Sequence, residues 1–199
     1  MNTKSGQKET TASSNETRIT ALTLLKNFYD EQIFNILSKD FFNSNLDVSM
    51  AAISASASLG NEAAIPHLCT IIEKGKPPQR KTAIQTLTKI NAPSSIEQLA
   101  KYFSIFQDRG TRRELLQAAT VISPLHPRTQ ELTRALLQDT ESGQEYFDIV
   151  LPALMDAGEL EPVKNNLAKA NPEVQRSVFT KLLDIAQESA TAFIEHFRD

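Results

Sequence analysis

The chain repeats itself. Ala52, Ile53, Leu59, Gly60, Ile65, Leu68, Ile71 and Ile72 reappear 31 residues later as Ala83, Ile84, Ile90, Asn91, Ile96, Leu99, Tyr102 and Phe103, and every apolar position meets an apolar position. A further shift of 32 carries Ile84, Leu87 and Ile90 onto Leu116, Ala119 and Ile122. One inserted residue then brings Leu99 and Phe103 onto Leu132 and Leu136. The pattern fades beyond this, with Val150, Leu154 and Met155 meeting Val178, Leu182 and Leu183 at a shift of 28. A fixed period of about 20–50 residues constrains a fold strongly, because each unit is one small element that cannot cover its own apolar face and must stack on its neighbours.

Within each period the apolar residues step by three and four, as in Leu22, Leu25, Phe28 and then Ile33, Phe34, Leu37, Phe41. That spacing lines one face of a helix. No window alternates apolar and polar residues for long, so no strands are expected. Each period is then a pair of helices. Asn91-Ala92-Pro93 and Ser123-Pro124 with Pro127 fall inside pairs, whereas Gly75-Lys76-Pro77-Pro78 falls between pairs. Asn171-Pro172 opens a pair, with proline in the first turn where its missing N–H is tolerated. Asp47 is expected to cap the helix beginning at Val48. The expected pairs are 17–45, 47–76, 78–108, 110–140, 143–170 and 172–199. The small residues of Ala51–Ser58 predict a helix approached closely by both neighbours.

Residues 1–16 carry only Ala12 as an apolar side chain beyond Met1, and no aromatic residue. Such a stretch cannot bury enough surface to offset the entropy of ordering, so a disordered tail is expected there, followed by one domain over 17–199. The 199 residues, 40% hydrophobic, suffice for a sizeable core. Lys and Arg number 21 against 24 Asp and Glu, a net charge of −3 that exerts no general pull toward nucleic acid or anionic membranes. Cys69 is alone, so no internal disulfide forms. No apolar run is long enough to span a bilayer, and the first 18 residues lack the apolar stretch of a secretory signal. A cytoplasmic location without membrane insertion is expected.

Leu59-Gly60-Asn61-Glu62-Ala63-Ala64-Ile65-Pro66-His67-Leu68 resembles the centre of a HEAT repeat, close to the phycobilisome-lyase-like subgroup. There a first helix ends in Leu-Gly, Asn or Asp makes the turn, and Ala-Ile-Pro-x-Leu opens the second helix. Arg80 and Arg112-Arg113 sit where such repeats place arginine near the start of a first helix. The match covers roughly residues 47–140, and the Leu-Gly turn is lost or displaced in the fourth and fifth pairs. The resemblance implies a right-handed α-solenoid of five to six HEAT-like helix pairs used for binding, with the second helices lining a concave surface. It implies no single activity.

Catalytic chemistry leaves little trace. His67, His126 and His196 lie far apart, and His67 and Cys69, two residues apart on a helix, point to different sides. No Cys-x-x-Cys, His-Glu-x-x-His or glycine-rich phosphate loop occurs, so no metal, cofactor or catalytic residue is expected. Cys69 reads as a small buried side chain. Pro124 and Pro127 account for the rigid turn around Leu125 and His126. Asp156 and Glu159 are spaced for one solvated helix face.

Charge is uneven along the chain. Lys74, Lys76, Arg80, Lys81 and Lys89 occupy residues 74–96 without an acid. Asp139, Glu141, Glu145, Asp148, Asp156, Glu159 and Glu161 occupy 135–163 without a base. Stacked repeats convert sequence separation into distance, so the charge should be segregated in space. The expected role is a scaffold or adaptor that binds a protein partner, or a further domain of a longer parent chain. On the second helices the candidate contacts are His67, Lys74, Gln98, Lys101, Arg128 and Arg134. Glu145, Asp148, Glu159 and Glu161 would meet a basic partner. A bilin-lyase-like or other enzyme-accessory role is the first alternative. Nucleic-acid binding is the second, disfavoured because the aromatic platforms it uses are missing, Tyr102 and Phe103 being expected in the core. Phe193, Ile194 and Phe197 near the end of the sequence either close the last pair inward or await a covering partner.

Overall fold

The computed structural model describes residues 4–28, 31–57, 64–138, 143–180 and 183–184. In order the helices are α1 (Lys4–Leu25), α2 (Glu31–Ser38), α3 (Leu46–Ser56), α4 (Ile65–Lys74), α5 (Pro77–Ile90), α6 (Ile96–Ile105), α7 (Arg109–Ile122), α8 (Pro127–Gln138), α9 (Phe147–Asp156) and α10 (Leu160–Leu167). A further helical segment spans 172–180. Single 3-10 turns, Pro93–Ser95 and Gly143–Tyr146, lead into α6 and α9. Among the described residues there is no strand. From α3 onward the breaks between helices fall where the repeat register places them. The chain divides into two compact units, Met1–Ile122 and Ser123–Asp199.

In the first unit the first helices of successive pairs touch in sequence: α1 packs on α3, α3 on α5 and α5 on α7. The second helices are linked through side chains. The Phe34 ring of α2 meets the His67 ring of α4 edge-on at 4.9 Å. The Tyr102 hydroxyl of α6 donates to the Cys69 carbonyl of α4 at 3.2 Å. Helices α2, α4 and α6 also pack on α3, α5 and α7 respectively. The core holds Val48, Ile53, Leu68, Ile72, Ile84, Leu87, Leu99, Phe103 and Leu116, all removed from solvent. Helix α3 touches both α1 and α5 and buries Ala52, Ala55 and Ser56, as its small residues predict.

Local chemistry explains the boundaries. The cap of α3 is Asn45, not Asp47: Asn45 Oδ1 accepts the N–H groups of Asp47 and Val48 at 2.9 and 3.2 Å. Two Asx residues compete for this role, and the earlier one has the extended backbone a cap requires. Helix α5 starts at Pro77 and is capped after Ile90 by Asn91, whose left-handed backbone (φ 54°, ψ 43°) occupies the position aligned with Gly60 in the sequence register. Asparagine tolerates that region better than most side chains. Helix α1 begins at Lys4, inside the stretch 1–16 expected to stay disordered. Lys4, Gln7, Lys8 and Glu9 suit a helix, and Leu22 anchors the far end of the same helix in the core.

Arg80 shows what the arginine near the start of a first helix does. Its Nε donates to the Ile72 carbonyl at 2.9 Å, closing the end of α4, and its guanidinium lies 4.3 Å over the Phe106 ring. Arg112, one repeat later, lies 4.3 Å over Phe103. Each arginine ties its own helix to the pair before it.

In the second unit α9 packs on α8 and on α10, and Tyr146, Phe147, Val150, Leu151, Leu154 and Met155 form the core. The turn after α9 uses Gly158 at φ 77°, which lets the Gly158 and Glu159 N–H groups return to the carbonyls of Met155 and Leu154. Phe193, Ile194 and Phe197 lie outside the described residues.

Candidate interaction surface

The ten residues expected to contact a partner fall into two groups. His67, Lys74, Gln98 and Lys101 belong to the first unit, and Arg128, Arg134, Glu145, Asp148, Glu159 and Glu161 to the second.

All four residues of the first group are exposed. On α4, Ile65, Leu68, Cys69, Ile71 and Ile72 turn inward, leaving Pro66, His67, Glu73 and Lys74 exposed. On α6, Ile96, Leu99, Tyr102 and Phe103 turn inward, leaving Glu97, Gln98, Lys101, Ser104 and Ile105 exposed. His67 and Gln98 are 31 positions apart, so they occupy equivalent places on successive repeats. The bond from Tyr102 to the Cys69 carbonyl holds the two helices in this register. His67 also rests against Phe34 and lies 6.5 Å from Phe41, ring centre to ring centre. Acids and bases are interspersed on both helices, Glu73 preceding Lys74 and Glu97 standing four residues before Lys101.

In the second group four of the six side chains are ion-paired, two of them with each other. Arg134 Nε donates to Glu159 Oε2 at 3.0 Å, and Arg134 Nη2 forms a second, shorter bond to Glu159 Oε1. This two-pronged bond to Glu159 holds the Arg134 pKa above its ordinary value. Arg128 Nη1 donates to Glu131 at 2.7 Å, one helical turn away. Lys164 Nζ lies 3.8 Å from Glu161. Asp148 is exposed in the first turn of α9, and Glu145 is half-buried in the turn before it. Two of the expected partner-binding residues, Arg134 and Glu159, therefore bind each other.

The same pairing reduces the segregation of charge. Within the basic run, Arg80 lies 3.9 Å from Asp108 and Lys81 lies 2.8 Å from Glu114, both acids from outside the run. Within the acidic run, Glu159 takes Arg134. A count along the chain misses such partners because each lies 25–33 residues away in sequence.

Cys69 is buried, and burial pushes its thiol pKa up, away from nucleophilic use. Tyr102 and Phe103 are in the core as expected. Among the described residues no group of three His, Cys, Asp or Glu side chains is placed to hold a metal, and no helix is long and apolar enough to cross a membrane. A groove of about 280 Å³ lies between α5 and α7, lined by Ile84, Gln85, Thr88, Lys89, Glu114, Gln117, Ala118 and Val121. No protein-family model matches the chain, and no curated protein matches its sequence.

Proposed function

We propose that this chain is a HEAT-like repeat module, a right-handed α-solenoid of five to six helix pairs, that binds a protein partner across the outward faces of its second helices. The observation that supports this reading is the exposure of His67 and Lys74 on α4 and of Gln98 and Lys101 on α6. The two pairs of residues come from successive helix pairs of the sequence register, and their helices are joined by the Tyr102 bond. Rigid helices presenting side chains at a repeat spacing suit an extended protein surface. The alternation of Lys74 with Glu73 and of Lys101 with Glu97 favours a partner of mixed charge over a polyanion.

The test is affinity capture of the full chain from a lysate of its source, read by mass spectrometry. The wild type is compared with His67→Ala/Lys101→Glu and with Arg134→Ala. The reading expects one protein partner, lost with the first variant and kept with the second. A partner kept by His67→Ala/Lys101→Glu removes the α4–α6 face from consideration. A visible-absorbing chromophore carried by the captured chain would replace this reading with the bilin-lyase-like one.

A further inference from the structure

We propose that His126 is a proton-sensitive cap of α8, whose first turn is held while the imidazole is neutral and released when the ring takes a proton. Helix α8 begins at Pro127, so His126 stands at the position that closes its N-terminus. His126 Nδ1 accepts the Arg128 N–H at 3.2 Å, and the His126 carbonyl accepts the Gln130 N–H at 3.0 Å. Those are the two bonds of a helix N-cap, with an imidazole nitrogen in the place usually taken by the oxygen of Ser, Thr, Asp or Asn. Pro127 has no N–H, so the Arg128 N–H is the first donor that α8 offers, and His126 takes it. The turn before the cap is closed by the His126 N–H, which donates to the Ser123 carbonyl at 3.3 Å.

An imidazole differs from the usual capping oxygens in one respect. Nδ1 accepts a hydrogen bond only in the neutral ring with its proton on Nε2, and the imidazolium carries an N–H on both nitrogens. A proton therefore removes the acceptor and turns an N–H toward the Arg128 N–H. It also places a positive charge at the helix end where the backbone dipoles disfavour one. The ring is half-buried, within reach of solvent. The charged groups around it are Arg128, Glu131 and Arg134 on α8, Glu145 in the turn packed on α8, and Asp148 and Asp156 on α9. Glu131 takes Arg128, and among the described residues none of these carboxylates forms an ion pair with His126 to hold the imidazolium in place.

The turn that is released carries Arg128, which is exposed, and Thr129, which is buried. Acidification thus changes how Arg128 is displayed. This device does not rest on the partner proposed above.

The experiment is hydrogen exchange of the full chain, read by mass spectrometry on peptides from α8 at about pH 8 and about pH 5, the range over which imidazoles change charge. The wild type is compared with His126→Asn, whose amide oxygen caps without titrating, and with His126→Ala, which has no cap. Comparison at one pH cancels both the intrinsic pH dependence of exchange and the titration of His67 and His196, present in all three proteins. At pH 8 the wild type and His126→Asn should exchange alike, and His126→Ala about fivefold faster. At pH 5 the wild type should exchange about fivefold faster than His126→Asn and match His126→Ala. His126→Ser serves as the untitratable cap if asparagine disturbs the turn. Ring nitrogen shifts in the NMR spectrum at pH 8 should place the His126 proton on Nε2. A ratio of wild type to His126→Asn that is the same at both pH values, a His126→Ala variant equal to the wild type at pH 8, or a neutral ring protonated on Nδ1 would each overturn the proposal.

Discussion

Gln79 Nε2 donates to Ser49 Oγ at 2.8 Å, and both side chains are buried. Gln79 also reaches the Phe41 carbonyl at 3.2 Å, which accepts the Ser49 hydroxyl at 2.5 Å, while Gln79 Oε1 accepts the Lys76 N–H at 2.9 Å. One amide therefore joins the start of α5, the start of α3 and the turn after α2. Buried polar groups that lose a partner keep their desolvation penalty. Gln79→Ala should lower stability by about 2–3 kcal/mol and Ser49→Ala by about 1–2 kcal/mol. In urea unfolding the double variant should lose less than the sum of the two, since the groups share one network. Strict additivity would show that the two side chains act independently.

Arg80 combines a hydrogen bond to the last turn of α4 with a stack on Phe106, and its side chain is 17% exposed. Arg80→Ala should cost about 1–3 kcal/mol, from a charge-assisted bond and a cation–π contact. Arg80→Lys should recover less than half of this, because an ammonium has no plane to stack and no fork to span the Ile72 and Gly75 carbonyls. Thermal melts of the three proteins decide it, and a lysine variant equal to the wild type would reduce Arg80 to a simple charge.

Two glycines should respond with opposite signs. A Cβ on Gly75 would sit 2.5 Å from the Ile71 carbonyl oxygen, so the turn between α4 and α5 must shift to accept it. Gly75→Ala should cost about 1–3 kcal/mol. A Cβ on Gly110 finds only Asp108 Oδ1, at 3.8 Å, within the first turn of α7. Gly110→Ala should stabilise by about 0.4–1 kcal/mol, chiefly by restricting the unfolded chain. Equal effects at both positions would refute the account.

The helices were legible because each repeat sets apolar residues at aligned positions, and Leu68, Leu99 and Leu116 answer to burial alone. Asn45 was harder, since Asn45 and Asp47 carry equivalent capping chemistry and only backbone geometry separates them. The exposed residues of α4 and α6 alternate with the buried ones at the same periodicity that located the core. The acidic and basic runs are partly neutralised because Asp108, Glu114 and Arg134 arrive from distant points of the sequence, and such pairing is invisible to a count along the chain. The α5–α7 groove depends on how far two helices stand apart, a quantity set by all their contacts together. Its one sequence trace is Ala118, which stands where the preceding repeat has Thr86.

Asp108 gives the fold a pH dependence whose sign is determined. Its carboxylate accepts the Thr111 N–H at 2.8 Å at the start of α7. That backbone bond, aided by the Thr111 hydroxyl and the nearby Arg80 charge and opposed by partial burial, holds its pKa below the ordinary range. The native state thus favours the ionised form more than the unfolded chain does. A depressed carboxyl contributes fully above its unfolded pKa, about 4, and loses the contribution as pH falls through the lower folded value. The stability difference between wild type and Asp108→Ala should therefore be constant from about pH 7 to about pH 5 and shrink below about pH 4. Urea titrations at several pH values measure it. Asp108→Asn should show a smaller loss at neutral pH, because its side-chain oxygen still accepts the Thr111 N–H, and a flatter profile in acid, because it cannot ionise. A difference that grows on acidification would mean that the ionised Asp108 opposes the fold.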